Sequence, residues 1–247
     1  MSKWAEGTVV SQTHWAGQLY SLQVEAELAP FQAGQFTKLA LAVDGEIVAR
    51  PYSFVNAPNE RPHDFYYLVL PGNPLTPRLC KLETGDTIYL APHASGFLTL
   101  SEVPPGEHLW LLATGTALGP FLSILKSEAP WQRFERVVLV HAVRRAEELS
   151  YQGQIQSLLT KHAGKFVFVP VVSREKTGFA LGGRIPKAIG DGQLEAEAGI
   201  ALSAQSSRLM VCGNPEMVAD TVHALQKRGL KKHRLRDPGQ ISVENYW

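Results

Sequence analysis

The chain contains very little cysteine, with only Cys80 and Cys212 among its 247 residues. A framework of several disulfides is therefore excluded, and four thiolate ligands for an iron–sulfur cluster are not present. No apolar run approaches the ~18–20 residues that a membrane-spanning helix needs. The first ten residues include Glu6 and contain no apolar stretch typical of a signal peptide. We therefore expect a protein of the cytoplasm, a reducing compartment, that does not associate with a membrane.

Net charge is also small, because 24 Lys and Arg are opposed by 23 Asp and Glu. A net charge of +1 is not typical of a nucleic-acid-binding protein, so we expect no nucleic-acid partner. The charge is unevenly distributed, since residues 1–106 carry a net charge of −4 and residues 107–247 a net charge of +5. This division indicates an anionic ligand or partner for the second half, although chance variation between two domains would look the same.

The pattern of apolar residues changes near residues 101–107, which predicts two domains. Before that point, short stretches rich in β-branched and aromatic residues alternate with turn residues, including an Asp44-Gly45 hairpin signal. Strands are predicted over residues 7–13, 19–26, 35–43, 65–70 and 87–90, and one short helix over residues 74–82. Short strands at such close spacing are typical of an all-β barrel or sandwich, which we assign to residues 1–103.

Residues 104–247 alternate between buried strands and helices. Continuous apolar runs, typical of strands buried on both faces, occupy residues 109–113, 137–141, 166–172 and 208–212. Helices are predicted over residues 118–125, 148–162 and 215–228. Alternation of this kind predicts an α/β domain built on a parallel sheet.

The ends of these predicted strands carry residues suited to a phosphorylated ligand, because ligands of open parallel sheets bind beyond the carboxyl ends of the strands. The turn from Thr114 to Pro120 contains two glycines that let a pyrophosphate approach the backbone, although an ordinary tight turn has the same composition. Ser173, Arg174 and Arg184 suit a 2′-phosphate, for which arginine supplies a planar fork of donors, although exposed arginines are more often only solvated.

A third strand end reads Cys212-Gly213-Asn214-Pro215, with proline at the start of a predicted helix. A thiol at this position suits a reacting group, although single cysteines are most often small buried hydrophobes. A neighbouring strand end adds two further cations, Arg144 and Arg145.

Five motifs, in order along the whole chain, together resemble the ferredoxin–NADP⁺ reductase family. Arg50-Pro51-Tyr52-Ser53 matches the family's Arg-x-Tyr-Ser flavin motif, and Gly34-Gln35-Phe36 precedes it at the expected place. The second half supplies a Gly-Thr…Pro nucleotide turn and a Cys-Gly-x-Pro segment. The final residues, 243–247, resemble the aromatic-terminated tail of bacterial members, the ferredoxin (flavodoxin)–NADP⁺ reductases.

This resemblance implies a two-domain protein, with an antiparallel β-barrel domain that binds FAD followed by an α/β parallel-sheet domain that binds NADP(H). The C-terminal tail is expected to return to the flavin. The FAD-binding residues implied are Arg50, Pro51, Tyr52, Ser53, Tyr66, Tyr67, Leu68, Val69, Leu75, Thr76, Thr116, Tyr246 and Trp247. The NADP-binding residues implied are Arg144, Ser173, Arg174, Arg184, Gly213 and Asn214, and the implied catalytic residues are Ser53, Cys212 and Glu244.

Some of these residues have specific implied roles. Arg50 is expected to contact the FAD pyrophosphate, and Tyr52 to lie against the isoalloxazine ring. Ser53 is expected near flavin N5, while Cys212 and Glu244 are expected near the nicotinamide. At the C-terminus, Trp247 is expected to stack on the FAD adenine.

The implied activity is electron transfer between NADPH, which donates a hydride, and ferredoxin or flavodoxin, which accept single electrons. Two cysteines cannot ligate a [2Fe–2S] cluster, so the carrier must be a separate protein. These carriers are acidic, and residues 227–236 contain six Lys and Arg. Such a run is often only a solvated face, but we expect it to steer the carrier. The protein is expected to act as a monomer.

Two other functions remain open on the sequence. An NAD(P)H-dependent flavin reductase would bind its flavin as a diffusing substrate, and Arg50–Ser53 together with the aromatic tail argues against it. A non-catalytic flavin- or nucleotide-binding module is the second alternative, and Ser53, Cys212 and Glu244 argue against that. The eight histidines show no i, i+4 pair, so a zinc hydrolase has little support and no metal site is expected.

Overall fold

Two six-stranded sheets, one antiparallel and one parallel, dominate the computed structural model, which describes residues 4–246. They confirm the predicted fold class. The first sheet contains β1 (Ala5–Ala16), β2 (Leu19–Ala26), β3 (Phe36–Val43), β4 (Glu46–Ser53), β5 (His63–Leu68) and β6 (Thr87–Leu90). Its order is β4-β3-β6-β1-β2-β5, with every pair antiparallel.

This first sheet curls around a core of apolar side chains. An antiparallel bridge between Phe54 and Phe65 joins the two edges, next to β4 and within β5. Buried side chains such as Leu22, Leu39 and Leu90 fill the interior, which closes the sheet into a barrel. A single short helix, α1 (Thr76–Leu79), lies between β5 and β6 and is shorter than predicted.

The second sheet contains β7 (His108–Thr114), β8 (Arg136–Val143), β9 (Phe166–Val172), β10 (Leu181–Gly182), β11 (Ser207–Gly213) and β12 (Ile241–Asn245). All of its pairs are parallel, in the order β10-β9-β8-β7-β11-β12. The helices are α2 (Leu118–Lys126), α3 (Ala129–Arg133), α4 (Gln152–Lys161), α5 (Ile185–Gly190), α6 (Gln193–Ala198) and α7 (Pro215–Lys227).

These helices cover both faces of the parallel sheet. Buried side chains of α2, α3 and α4 belong to one apolar cluster, and those of α5, α6 and α7 belong to another. The helix predicted over residues 148–162 begins only at Gln152, because Tyr151 has a left-handed backbone conformation that interrupts it. Among residues 4–246, no helix is long and apolar enough to cross a membrane.

The two sheets share part of one apolar core, because Leu19, Val55 and Tyr66 of the first half pack into the cluster beneath α2. Gly119 of α2 lies so near Val55 that a Cβ atom at Gly119 would stand 3.3 Å from the valine side chain. The boundary between residues 103 and 104 falls in the segment before β7. That boundary stays a prediction.

Candidate active site

A cavity of about 430 Å³ lies where the two domains meet. The end of β4, β5 and the carboxyl end of β12 line it, together with the turn after β7. The lining residues are Phe36, Arg50, Pro51, Tyr52, Ser53, Tyr66, Tyr67, Leu68, Leu70, Asn73, Thr76, Thr116, Glu244, Asn245 and Tyr246. Ten of the thirteen predicted FAD-binding residues are therefore brought to one cavity from both halves of the chain.

Three predicted FAD-binding residues are not among those lining residues. Leu75 is fully buried in the barrel core, and Val69 packs against the same core. Trp247 lies outside the described residues, so its predicted stacking on adenine stays a prediction.

Four residues of the lining were not predicted from the sequence: Phe36, Leu70, Asn73 and Asn245. Phe36 follows the glycine of the Gly34-Gln35-Phe36 segment, which was the available signal. The Asn73 side chain accepts hydrogen bonds from the backbone N–H groups of Leu75 and Thr76, at 2.9 and 3.0 Å. Asn73 therefore shapes the wall at the start of α1.

A second cavity of about 610 Å³ adjoins the first and shares Phe36 and Arg50 with it. Lys38 and His93 also line it. Arg50 is exposed and lines both cavities, and its guanidinium group donates a hydrogen bond to the carbonyl of Ala49. The paired cavities thus offer an aromatic chamber, a cationic junction and a second chamber.

The C-terminal strand brings Tyr246 back to the barrel. Its phenol donates a hydrogen bond of 2.7 Å to Ser53 Oγ, across 193 residues of sequence. Its backbone N–H donates to the carbonyl of Gly213, which anchors the chain after β12. Burial raises the pKa of the Tyr246 phenol well above its usual value, so the phenol stays protonated at neutral pH.

Cys212 and Glu244 are direct neighbours in the β11–β12 register. Glu244 lines the cavity, and burial raises the pKa of its carboxyl to about 7. Cys212 is fully buried in the apolar core and is not among the lining residues. Burial, followed by the charge of Glu244, raises the pKa of the Cys212 thiol well above its usual value, so the thiolate is disfavoured.

Gly213 allows the ends of β7 and β11 to approach closely. Its φ is +151°, and a Cβ atom there would stand 2.1 Å from Thr114 Oγ1. Close packing against Thr114 therefore requires glycine at position 213, whether or not this residue also contacts a nucleotide. The next residue, Asn214, caps α7, because its side-chain oxygen accepts from the N–H groups of Glu216 and Met217.

Three of the predicted NADP-binding residues are linked at the carboxyl edge of the parallel sheet. The Arg174 N–H donates to the carbonyl of Arg144 at 2.8 Å, and Ser173 binds the carbonyl of Val143 through its N–H and its hydroxyl. Pairing of β10 with β9 brings Arg184 toward the same edge. In the described part of the chain, the three arginines form no ion pair and are exposed, so their guanidinium groups are available to an anion.

His141 supports the neighbouring turn and was not predicted. Its ring lies within β8, fully buried, with Nε2 at 3.0 Å from the carbonyl of Gly115. Because a carbonyl only accepts, Nε2 carries the hydrogen. Burial lowers the pKa of His141 to about 4, so the ring is neutral at physiological pH.

Comparison with known proteins identifies the family. The family model for the oxidoreductase NAD-binding domain matches residues 111–223. The flavodoxin/ferredoxin–NADP reductase of Escherichia coli is 46% identical over 248 residues, which cover the whole of both chains. The ferredoxin–NADP reductase of Pseudomonas aeruginosa is 35% identical, over 96% of this chain and 95% of that protein.

The chain belongs to the flavodoxin/ferredoxin–NADP reductase family. This confirms the resemblance drawn from the sequence. A solved ferredoxin NADP⁺ reductase from Neisseria gonorrhoeae, with bound FAD and NADP, superposes over the full length of both chains with a TM-score of 0.95 and 35% identity.

The expected role of the basic segment 227–236 in steering an acidic carrier does not agree with its position in the fold. The basic segment 227–236 begins at the last residue of α7, and its Lys232 pairs with Ile241 at the start of β12. Residues 231–237 therefore lie at the amino ends of the strands, whereas Glu244 lies near the carboxyl ends. Two of its cations are also paired, Arg228 with Glu195 and Lys231 with Asp237. This position argues against the predicted role of the segment in carrier docking.

The residues present fit a flavin dinucleotide. Tyrosines 52, 66 and 67 give the 430 Å³ cavity flat aromatic walls suited to a planar ring system. Arg50 lines both cavities, and an arginine there suits a pyrophosphate between two ring-bearing halves of a ligand. No cluster of candidate metal ligands occurs among residues 4–246.

Proposed function

We propose that this chain is a FAD-dependent oxidoreductase that passes electrons between NADPH and ferredoxin or flavodoxin. Its relatives are named flavodoxin/ferredoxin–NADP reductases, in agreement with this activity. One observation carries the proposal: the Arg50–Ser53 segment and the Glu244–Tyr246 segment line a single cavity at the domain junction. A flavin held there would stand beside the strand ends where a nucleotide binds.

Binding of FAD would use both cavities. The aromatic walls of the 430 Å³ cavity would hold the isoalloxazine ring, and Arg50 would hold the pyrophosphate at the junction. Lys38 and His93 would face the adenosine half in the second cavity. When bound, FAD would supply the chemistry itself, accepting a hydride and releasing electrons singly.

Ser53 would orient a hydrogen bond toward the flavin. Its Oγ accepts a hydrogen bond from Tyr246, so the Ser53 O–H can donate to an acceptor inside the cavity. The Tyr246 phenol remains protonated because burial raises its pKa, so this orientation persists across the physiological pH range. The small Ser53 side chain also leaves room for a second ring.

Glu244 would hold a proton close to the reacting rings. Because burial raises its pKa to about 7, the carboxyl can both hold and release a proton near neutral pH. Cys212 would support this strand end from within the core rather than by contact with the cavity.

NADPH would bind along the carboxyl edge of the parallel sheet. Arg174 and Arg184 would hold its 2′-phosphate, with Ser173 as an additional donor, and Arg144 would face its pyrophosphate. The turn at Gly115, held by His141, and the glycine at position 213 would allow close approach of the nucleotide backbone.

The reductase would work as a monomer in the cytoplasm, with a separate carrier as its acceptor. Gel filtration of the purified protein tests the monomer, and fractionation of cells tests the location.

Retention of FAD tests the central step. The protein is loaded with FAD, passed through a gel-filtration column and mixed with NADPH under anaerobic conditions. We expect a yellow protein whose flavin absorbance is bleached by NADPH. Loss of the flavin on the column would instead favour a flavin reductase, and retention without bleaching would favour a binding module.

A further inference from the structure

A cluster of hydrogen-bonded side chains joins the two domains beside the cavity, and Tyr151 lies at its centre. The Tyr151 side chain is 2% exposed. Its phenol donates to both carboxylate oxygens of Asp64, at 3.2 and 3.3 Å. Because Asp64 belongs to β5 of the barrel and Tyr151 precedes α4, this contact crosses the domain junction.

A second link joins the same segment to the cavity wall. Tyr66, which lines the cavity, has its phenol oxygen 2.8 Å from Ser150 Oγ. The rings of Tyr66 and Tyr151 meet edge to face, with centroids 5.3 Å apart. On its other side, Tyr151 packs against Trp15 of β1 at 4.6 Å. The wall of the flavin cavity is thus held in place from the nucleotide domain.

The backbone of Tyr151 indicates that these contacts dominate its local conformation. Its φ and ψ are +59° and +22°, in the left-handed region that is unfavourable for a residue with a Cβ atom. A buried residue keeps such a conformation only when its surroundings determine it. Here, those surroundings are Asp64, Tyr66 and Trp15, all from the barrel.

The segment that ends at Tyr151 begins at the nucleotide-binding edge. The Glu148 carboxylate accepts from the backbone N–H groups of Arg144 and Arg145, which ties residues 144–148 into one tight turn. The carbonyl of Arg144 in turn accepts from the N–H of Arg174. Because these bonds hold the edge together, a displacement of Tyr151 would shift the edge as one unit relative to the barrel and leave the arrangement of its arginines unchanged.

We propose that Tyr151 is a positioning residue for hydride transfer. By holding Asp64 and Tyr66 against the start of α4, Tyr151 fixes the spacing between the flavin cavity and the nucleotide-binding edge. This role rests on the proposed function, because the spacing matters only if nicotinamide and flavin react across the junction. Reacting atoms must approach to ~3–3.5 Å, and a misplacement of about 1 Å costs about 100-fold in rate.

Two conservative variants remove these links without touching the cavity lining. Tyr151→Phe removes the phenol that binds Asp64, and Ser150→Ala removes the partner of Tyr66. The matched control is Ser207→Ala, which loses a buried hydroxyl that accepts from the Ser203 N–H at the far, amino end of β11.

With FAD-loaded protein, we expect Tyr151→Phe plus Ser150→Ala to lower the limiting rate of flavin reduction by NADPH about tenfold or more. The Kd for adenosine 2′,5′-bisphosphate, which reaches only the nucleotide edge, should change by no more than about twofold. The Ser207→Ala control should leave both quantities unchanged. An unchanged limiting rate in the double variant would overturn the proposal, as would a parallel loss of rate and nucleotide affinity.

Further measurements keep the proposal testable if the double variant does not retain FAD. Tyr151→Phe alone should then lower the limiting rate about threefold or more while FAD stays bound. Hydrogen exchange needs no NADPH, and amides of α4 should exchange faster in Tyr151→Phe than in the wild type. Unchanged exchange would contradict the positioning role, whereas failure of NADPH to reduce the wild-type flavin would contradict the proposed function alone.

Discussion

Replacing Arg174 and Arg184 by alanine should erode the preference for NADPH over NADH. Both guanidinium groups are exposed at the carboxyl edge of the parallel sheet, and neither forms an ion pair with the described residues 4–246. Their removal therefore leaves no carboxylate without its partner. The substitutions should therefore weaken binding of the 2′-phosphate, which NADH lacks, and leave the stability of the fold unchanged.

The magnitude follows from two charge-assisted contacts. Each contributes ~1.5–3 kcal/mol, and solvent screening at exposed groups favours the lower value, so the pair contributes about 3 kcal/mol. At about 1.4 kcal/mol for each factor of ten, the ratio of the two kcat/KM values should fall by about 100-fold.

Steady-state reduction of a small dye by NADPH and by NADH gives this ratio. Lys176→Ala is the matched control, because it removes an exposed positive charge from the same loop. Its effect on the ratio should be about threefold or less, since a nearby charge without direct contact is largely screened. A ratio for the double variant equal to that of the wild type would refute the assignment of the 2′-phosphate site.

Three further outcomes are expected. Gly213→Ala should lower the free energy of unfolding, measured in urea, by about 2–4 kcal/mol, because the new Cβ atom would meet Thr114. The control Gly153→Ala, where the space is open, should not lower it, and equal stability of the two variants would contradict the prediction. Without FAD, wild-type stability relative to Glu244→Gln should fall as pH rises from about 4.5 to about 7, because the folded carboxyl keeps its proton longer than the unfolded one; parallel pH curves would contradict the raised pKa. Rising salt should slow reduction of an acidic carrier more than that of a neutral dye, because residues 107–247 carry a net charge of +5 even without a docking role for segment 227–236; equal salt dependence would contradict electrostatic steering.

Local patterns were sufficient to predict most of the architecture. Continuous apolar runs predicted the four central strands of the parallel sheet, because burial on both faces leaves no room for alternation. For strand β4, which carries the Arg50–Ser53 motif, the Asp44-Gly45 hairpin signal indicated the start, but no range was predicted. Half of its eight residues are exposed, and it contains Pro51, which is tolerated because β4 lies at the edge of the sheet order.

The contacts that complete the site depend on long-range packing. Ser53 and Tyr246 are 193 residues apart, and Asp64 and Tyr151 are 87 residues apart. No local pattern identifies such pairs, and the left-handed backbone of Tyr151 follows from them. The basic run of residues 227–236 was visible in the sequence, but only the direction of β12 shows that it lies away from the cavity.

Transfer of electrons from NADPH to a protein carrier tests the central claim most directly. FAD-loaded protein, freed of unbound flavin, is mixed anaerobically with NADPH and then with purified ferredoxin or flavodoxin in a stopped-flow instrument. We expect the bound flavin to bleach on the first mixing and to recover its absorbance on the second, as the carrier becomes reduced. A flavin that NADPH does not bleach, or that neither carrier reoxidises, would contradict the account.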